Sequence, residues 1–250
     1  MRLDHRRPDT TLVGGGSLGS PTANNLPLLF FTLCYDHLRQ SLWANMPDVP
    51  PILVPASTCY RRGQLRARPV PQGSPLLFCD SGGYVFAKKY HYYPFSVDDY
   101  VEWLHQMQPA YAAMLDYPCE PALAPDRQAV RDRQRRTLDY AEKLVKVNAP
   151  WTWVPIVQGQ HVEDYVLMAR RYRAIGLETE YMGIGSLCAR KSVREIRDIV
   201  EAVQEELPTT WFHLFGVKLS FFKLLQICRF LFHNFIIMFH NFFCFYEGIK

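Results

Sequence analysis

Five times along this chain an apolar run of strand length stops at an acid, an amide or a glycine turn, and the stretches between carry helical spacing. Pro75-Leu76-Leu77-Phe78-Cys79 runs into Asp80-Ser81-Gly82-Gly83-Tyr84, and Tyr111-Ala112-Ala113-Met114-Leu115 into Asp116-Tyr117-Pro118. Trp153-Val154-Pro155-Ile156-Val157 ends in Gln158-Gly159-Gln160, Tyr181-Met182 in Gly183-Ile184-Gly185-Ser186, and Phe212-His213-Leu214-Phe215 in Gly216-Val217. Between them, residues 96–108 open on Ser96 with Asp99 in the third place after it. Ser192 with Glu195 repeats that capping pattern ahead of Ile196, Ile199, Val200 and Val203 at helical spacing. Strands alternating with helices predict a parallel sheet, and strands apolar along their length predict that both its faces are covered.

Residues 28–34 and 52–55 add two further strands, giving seven before residue 218. The pattern fits an α/β chain, a TIM (β/α)8 barrel incomplete at its eighth strand, better than an open sheet. The expected divisions are a flexible leader over 1–25, the barrel over 26–218 and a Phe-rich tail over 219–250. In such a barrel the loops after the strands form the active face, so Asp80, Asp116, Gln158, Gly185 and Gly216 would meet at one mouth. An acid leaving a buried strand into two glycines suits chemistry there, because bare backbone lets a flat ligand approach the main chain. Taken singly, each mouth residue also fits an ordinary turn; taken together they predict a site.

In order and spacing, Asp80-Ser81-Gly82-Gly83-Tyr84, Val157-Gln158-Gly159, Gly183-Ile184-Gly185-Ser186 and His213-Leu214-Phe215-Gly216 resemble the tRNA-guanine transglycosylase superfamily, over residues 50–218. Arg136-Thr137-Leu138 with Tyr140 is similar to that family's Arg-Thr pattern on the helix after the fourth strand. The Ile184-Gly185-Ser186 and Leu214-Phe215-Gly216 versions look closer to archaeosine-type than to queuosine-type members. The resemblance implies exchange of a guanine in tRNA or DNA for a 7-deazaguanine such as preQ0 or queuine, through a covalent enzyme–ribose intermediate. It implies Asp80 as the acid/base carboxylate that handles the purine proton, in a loop shared with Ser81, Gly82 and Gly83. Asp116 would accept from the purine N1–H and exocyclic amine, Gln158 with Gly159 would address the O6 edge, and Gly185 would meet the base with its backbone, with Gly183 of the same motif counted among the substrate-binding residues. Tyr84 or Tyr181 would supply an aromatic lid. The chemistry agrees: a flat purine needs a slot with acceptors on its donor edge and a donor on its acceptor edge, and buried partners penalise the wrong base.

One expected group is missing. The family's nucleophile is an aspartate on the eighth strand, and this chain has no aspartate after Asp198 and no carboxylate at all between Glu206 and Glu247. The corresponding place falls in residues 236–242, so the sequence predicts a copy truncated before its nucleophile and inactive in covalent exchange. Composition changes there too. Nine of the sixteen Phe lie in the last thirty residues, which hold no Pro, Ala or Asp, as a frameshift or misjoined gene would produce. The uncharged run 230–246 carries two His and two Asn and makes a poor membrane span, so no membrane partner is expected.

The net charge of +4 gathers in places such as Arg61, Arg62, Arg66 and Arg68, which suit a phosphate backbone. The arginines at 131, 133, 135 and 136 interleave with Asp126, Asp132 and Asp139 and read equally as a solvated helix face. Lys88-Lys89-Tyr90-His91-Tyr92-Tyr93, directly after the candidate active loop, fits either an amphipathic loop or a contact with phosphates and bases. His213, inside an apolar run, reads as a core histidine. Seven cysteines without a Cys-x-x-Cys pair indicate reduced thiols in a cytoplasmic setting, and nothing matches the zinc site of bacterial-type relatives, so neither metal nor cofactor is expected. The leader lacks a signal-peptide core. The polymer expected is tRNA or DNA, with DNA preferred because no RNA-binding appendage is visible, and a homo- or heterodimer is compatible. Two other functions remain open: a non-catalytic partner subunit of a transglycosylase, and an unrelated TIM-barrel enzyme using Asp80 and Asp116 on a small molecule.

Overall fold

The computed structural model describes residues 31–32, 51–70, 73–74, 76–217 and 235–239; the expected leader and most of the tail lie outside the described residues. The elements run β1 (Phe31–Thr32), β2 (Ile52–Pro55), α1 (Ala56–Cys59), β3 (Tyr60–Arg61), β4 (Gln64–Leu65), β5 (Leu77–Asp80), α2 (Gly83–Tyr90), α3 (Val97–Met107) and β6 (Tyr111–Ala113). They continue with α4 (Arg127–Leu144), β7 (Thr152–Val154), β8 (Ile156–Val157), α5 (Val162–Ala174), β9 (Tyr181–Ile184), α6 (Val193–Glu206), β10 (Trp211–Val217) and β11 (Phe235–Phe239). All strands except β3 and β4 join one sheet in the order β7-β6-β5-β2-β1-β11-β10-β9-β8. Every neighbouring pair in it is parallel.

β7 and β8, at the two ends of that order, are separated in the chain only by Pro155. Proline has no N–H to give a ladder, which interrupts the strand and lets its two halves face different neighbours. The Val154 carbonyl receives Met114 N at 2.9 Å, while the Pro155 carbonyl receives Gly183 N at 2.7 Å.

The expectation that the last strand is missing is corrected. β11 lies between β10 and β1, in register Phe212↔Phe235 through Leu214↔Ile237 on one side and Phe31↔Phe239 on the other. Its sequence, Phe-Ile-Ile-Met-Phe, is the β-branched and aromatic stretch of the tail, a composition that suits a strand.

Alternate residues face opposite sides. Ile52, Val54, Cys79, Ala112, Met182, Ile184, Phe212 and Leu214 pack with the helices. Leu53, Phe78, Ala113, Val154 and Ile156 gather on the other face with Tyr111, Tyr181 and Phe215. His213 is buried there, its ring 4.9 Å from that of Phe78 and 4.1 Å from that of Phe215, as a core histidine should be.

The predicted helix over 96–108 forms as α3 between caps Ser96 and Gln108, with both halves of the capping box made by Ser96 and Asp99. At α6 only half forms: Ser192 accepts from Glu195 N at 3.3 Å, but the Glu195 carboxylate pairs with Arg190 instead of returning to Ser192. Buried tyrosines tie the helices to the sheet's carboxyl edge. Tyr100 donates to the Ala113 carbonyl at 2.9 Å, Tyr165 to Gly185 at 2.9 Å and Tyr172 to Ile156 at 3.1 Å. The β3–β4 hairpin was not expected. Its two turn residues, Arg62 at φ 50° and Gly63 at φ 82°, both take the left-handed conformation that a two-residue hairpin loop requires.

Candidate active site

Because the sheet is parallel, the residues that follow its strands emerge along one edge. There they enclose a cavity of about 130 Å³, in the range of cavities of about 150 Å³ that hold a single flat ring. Asp80, Asp116, Gln158, Gly185 and Gly216, the five residues expected to share a mouth, all line it, as do Ser81, Gly82, Gly83 and Tyr84.

Asp116 is the hub. Only 7% exposed, it accepts Ser81 Oγ–H at 2.6 Å on Oδ1 and the Gln158 amide on Oδ2, while the Tyr93 hydroxyl stands 3.4 Å from Oδ1. Tyr93 also donates to the Asp116 carbonyl at 2.8 Å and receives its N–H at 3.0 Å. Burial raises the Asp116 pKa, and the hydrogen bonds from Ser81, Gln158 and Tyr93 oppose the rise. A carboxylate has about four acceptor sites, so these donors leave capacity for a ligand.

The orientation of the Gln158 amide is fixed from both ends. Ser186 Oγ donates to its Oε1 at 2.5 Å, which turns Nε2 toward Asp116. Ser186 holds a left-handed φ of 54°, a strained choice for a residue with a side chain, and its hydroxyl is pinned by Cys119 N at 2.6 Å. Behind it, Gln134 donates to the Gln158 carbonyl at 2.7 Å. Gly185 must lack a side chain, since a Cβ there would overlap the Gln158 amide. Gly82, at φ 71°, lets the chain turn from β5 into α2 and bring its N–H to Asp80 Oδ2 at 3.2 Å.

Asp80 is less restrained. Besides backbone N–H groups it has the cavity before it, and burial followed by the charge of Asp116 pushes its pKa up to about 7. Glu120, 3% exposed and also facing the cavity, is pushed up to about 7, mainly by burial. Three acids thus share one pocket. The one at the hub is held by neutral donors, and the other two are poised near neutral pH to give or take a proton.

The Arg136-Thr137-Tyr140 pattern braces Asp116 through its neighbour. Thr137 Oγ1 accepts Tyr117 N at 2.9 Å, the Arg136 guanidinium lies 5.4 Å from the Tyr117 ring, and Tyr140 stacks on that ring at 6.0 Å. Arg133 fastens the same loop by donating to the Leu123 and Pro118 carbonyls, a structural use of the second basic cluster.

Three expected contacts lie elsewhere. Gly183 sits within β9, where a Cβ would strike Phe215 and Ile156, and Gly159 packs on Tyr165; neither lines the cavity. Tyr181 begins β9 and packs 5.3 Å from Tyr111, at the far end of the strand from the mouth, so of the two lid candidates only Tyr84 borders the cavity. Conversely, Glu120, Ser186 and Tyr93 were not singled out as site residues. Glu120 stands four residues after Asp116 in the same mouth loop, the one sequence signal that could have found it.

The family model for DpdA, deoxypurine in DNA protein A, matches residues 48–227. The chain belongs to the DpdA family. DpdA is a family of DNA-modifying deazapurine transglycosylases, so DNA and a deazapurine base are the family's substrates. The match covers every cavity residue of this DpdA chain. No curated protein matches the chain. Among the described residues of this DpdA member, no helix is long and apolar enough to cross a membrane, no group of three His, Cys, Asp or Glu could hold a metal ion, and the four cysteines are free.

Proposed function

We propose that this chain binds a 7-deazaguanine, of the preQ0 or queuine type, in the cavity between Asp80, Asp116 and Gln158, as a DNA base-exchange transglycosylase whose own copy lacks the covalent nucleophile. The observation that carries the reading is the convergence of acceptor and donor in one slot. Asp116 offers lone pairs to the adjacent N1–H and 2-amino donors, and the Gln158 amide beside it, turned by Ser186, offers N–H to the O6 acceptor. Adenine reverses the pattern at positions 1 and 6 and would set acceptor against acceptor at Asp116 and donor against donor at Gln158. Asp80, with a pKa near neutrality, can exchange a proton with a purine held in the slot, while cleavage of a guanine from its ribose would need a nucleophile at C1′ supplied from outside β11.

We also read the sheet as a closed (β/α)8 barrel. What supports closure is that the terminal members of the strand order, β7 and β8, are consecutive halves of one chain segment, so the nine segments make eight strands around a ring. The mouth loops of β5, β6, β8 and β9 then surround the purine. The eighth place belongs to β11, whose residues Phe235–Phe239 include no acid, so the eighth strand offers no carboxylate for attack on the ribose C1′.

A second reading has its own support: β11 pairs on both sides instead of leaving an open edge, as a partner subunit serving a catalytic mate would require. Calorimetry with a 7-deazaguanine, guanine and adenine tests the base reading. One-to-one binding of the first two and none of adenine is expected; equal affinity for adenine, or no purine binding, refutes it.

A further inference from the structure

Between Asp48 and Asp98 the chain contains six cations, Arg61, Arg62, Arg66, Arg68, Lys88 and Lys89, and a single acid, Asp80, which is turned into the cavity. The structure places four of these cations on two adjoining elements. Arg61 and Arg62 stand exposed at the tip of the β3–β4 hairpin, and Lys88 and Lys89 stand exposed in the last turn of α2. Tyr60 clasps the two together, its ring 5.6 Å from Phe86 and 6.0 Å from Tyr90, with its hydroxyl donating to the Pro94 carbonyl at 3.1 Å. Both elements adjoin the cavity rim: Ser57 and Thr58 of α1, which leads directly into the hairpin, line it, as do Gly83, Tyr84 and Val85 at the start of α2. At the helical rise of about 1.5 Å per residue, the lysines lie roughly 5 to 9 Å along α2 from that rim, within a few nucleotides along a strand.

Tyr92 completes the patch. It follows His91, whose left-handed φ of 65° ends α2, and it is 58% exposed, the most exposed of the large apolar or aromatic side chains described. Lys89 Nζ lies 5.1 Å from the Tyr90 ring, which itself packs on Tyr60, so the end of α2 that leads into Tyr92 sits beside the hairpin. A bare aromatic ring among cations is costly to leave in water and suited to a base face with phosphates on either side.

We propose that the β3–β4 hairpin, the end of α2 and Tyr92 form the docking surface for an unpaired DNA strand, whose target nucleotide turns into the cavity while Tyr92 stacks on a base near it. The inference rests on the DNA base-exchange reading for the identity of the polymer. The cavity supports the unpaired state, because a base within a duplex stack cannot reach Asp116 without leaving the stack. So does the mixture of cations and aromatics, since phosphate neutralisation alone would need no Tyr92.

The test uses the full chain and fluorescent oligonucleotides, single-stranded and duplex, of one guanine-containing sequence, read by anisotropy over a salt series. The single strand is expected to bind more tightly than the duplex. Tyr92→Ala should weaken it about tenfold and Tyr92→Phe should not. The double variant Arg62→Ala with Lys89→Ala should lower the slope of log affinity against log salt by roughly 1.4, at about 0.7 per phosphate of a single strand. All these side chains lie outside the cavity, so calorimetric binding of the free deazaguanine should be unchanged in each variant. Tighter binding of the duplex, or variants that keep the parent affinity and slope, would overturn the proposal. Loss of purine binding alone, with DNA binding intact, would instead count against the pocket reading.

Discussion

Replacing Asp116 by Asn separates recognition from folding, because the two uses of that carboxylate differ in how many acceptors they need. Within the protein Oδ2 takes the Gln158 amide and Oδ1 takes the Ser81 hydroxyl. An Asn can keep its oxygen on Gln158 and turn its NH2 toward Ser81, whose hydroxyl accepts as well as donates, so the network survives at a cost of about 1 kcal/mol. The purine cannot compensate in the same way. Its N1–H and 2-amino group are both donors, and a neutral amide with one acceptor already in use opposes at least one of them with another donor. Hydrogen bonds to a charged group contribute about 1.5 to 3 kcal/mol, and each 1.4 kcal/mol is tenfold, so Asp116→Asn should raise the Kd for a 7-deazaguanine by about 10- to 100-fold. Calorimetry gives the Kd and a thermal melt gives the stability. A Kd within threefold of the parent in a variant that melts at the parent temperature would refute the role given to Asp116.

Gly185→Ala should weaken purine binding and lower stability by about 1 to 3 kcal/mol, because the new methyl displaces an amide that Ser186 and Asp116 hold from both sides; urea melts and calorimetry read the two effects. Asp80 and Glu120 have folded-state pKa values raised to about 7, so the stability they contribute is fully present below their ordinary pKa near 4 and is lost as pH rises toward 7. Urea midpoints should therefore fall between pH 5 and pH 7.5 in the parent and fall less in Asp80→Asn with Glu120→Gln; identical slopes would remove the assignment. Ending the chain after Val217 should open the sheet between β10 and β1 and yield aggregates on size exclusion; a monodisperse product would show that β11 is dispensable.

How much of this was legible in the sequence depended on the range of the forces involved. Strand exits and helix caps are local, so Asp80, Asp116 and Gln158 and the Ser96–Asp99 capping box could be read from neighbouring residues, and strand polarity then brought the three site residues to one edge. The β3–β4 hairpin turned on a left-handed Arg62, an unusual choice that composition does not announce. Ser186, Tyr93 and Glu120 gain their roles from partners 28, 23 and 66 residues away, which no periodicity encodes. Gly183 and Gly159 look like ligand contacts in a motif, yet their missing side chains make room for Phe215 and Tyr165. The tail misled for a different reason. Its composition departs from that of the body, but the sheet asks only for β-branched and aromatic residues, and Phe235–Phe239 supplies them without an acid.

The central claim, base recognition without a covalent nucleophile, is tested most directly by incubating the purified chain with guanine-containing single-stranded DNA and isotopically labelled guanine, measuring bound label at equilibrium and label transferred to the DNA. The account predicts saturable, Asp116-dependent binding of the base and no label in the DNA. Label entering the DNA at a steady rate, abolished by Asp80→Asn, would contradict it and would mean that another group in this chain holds the ribose.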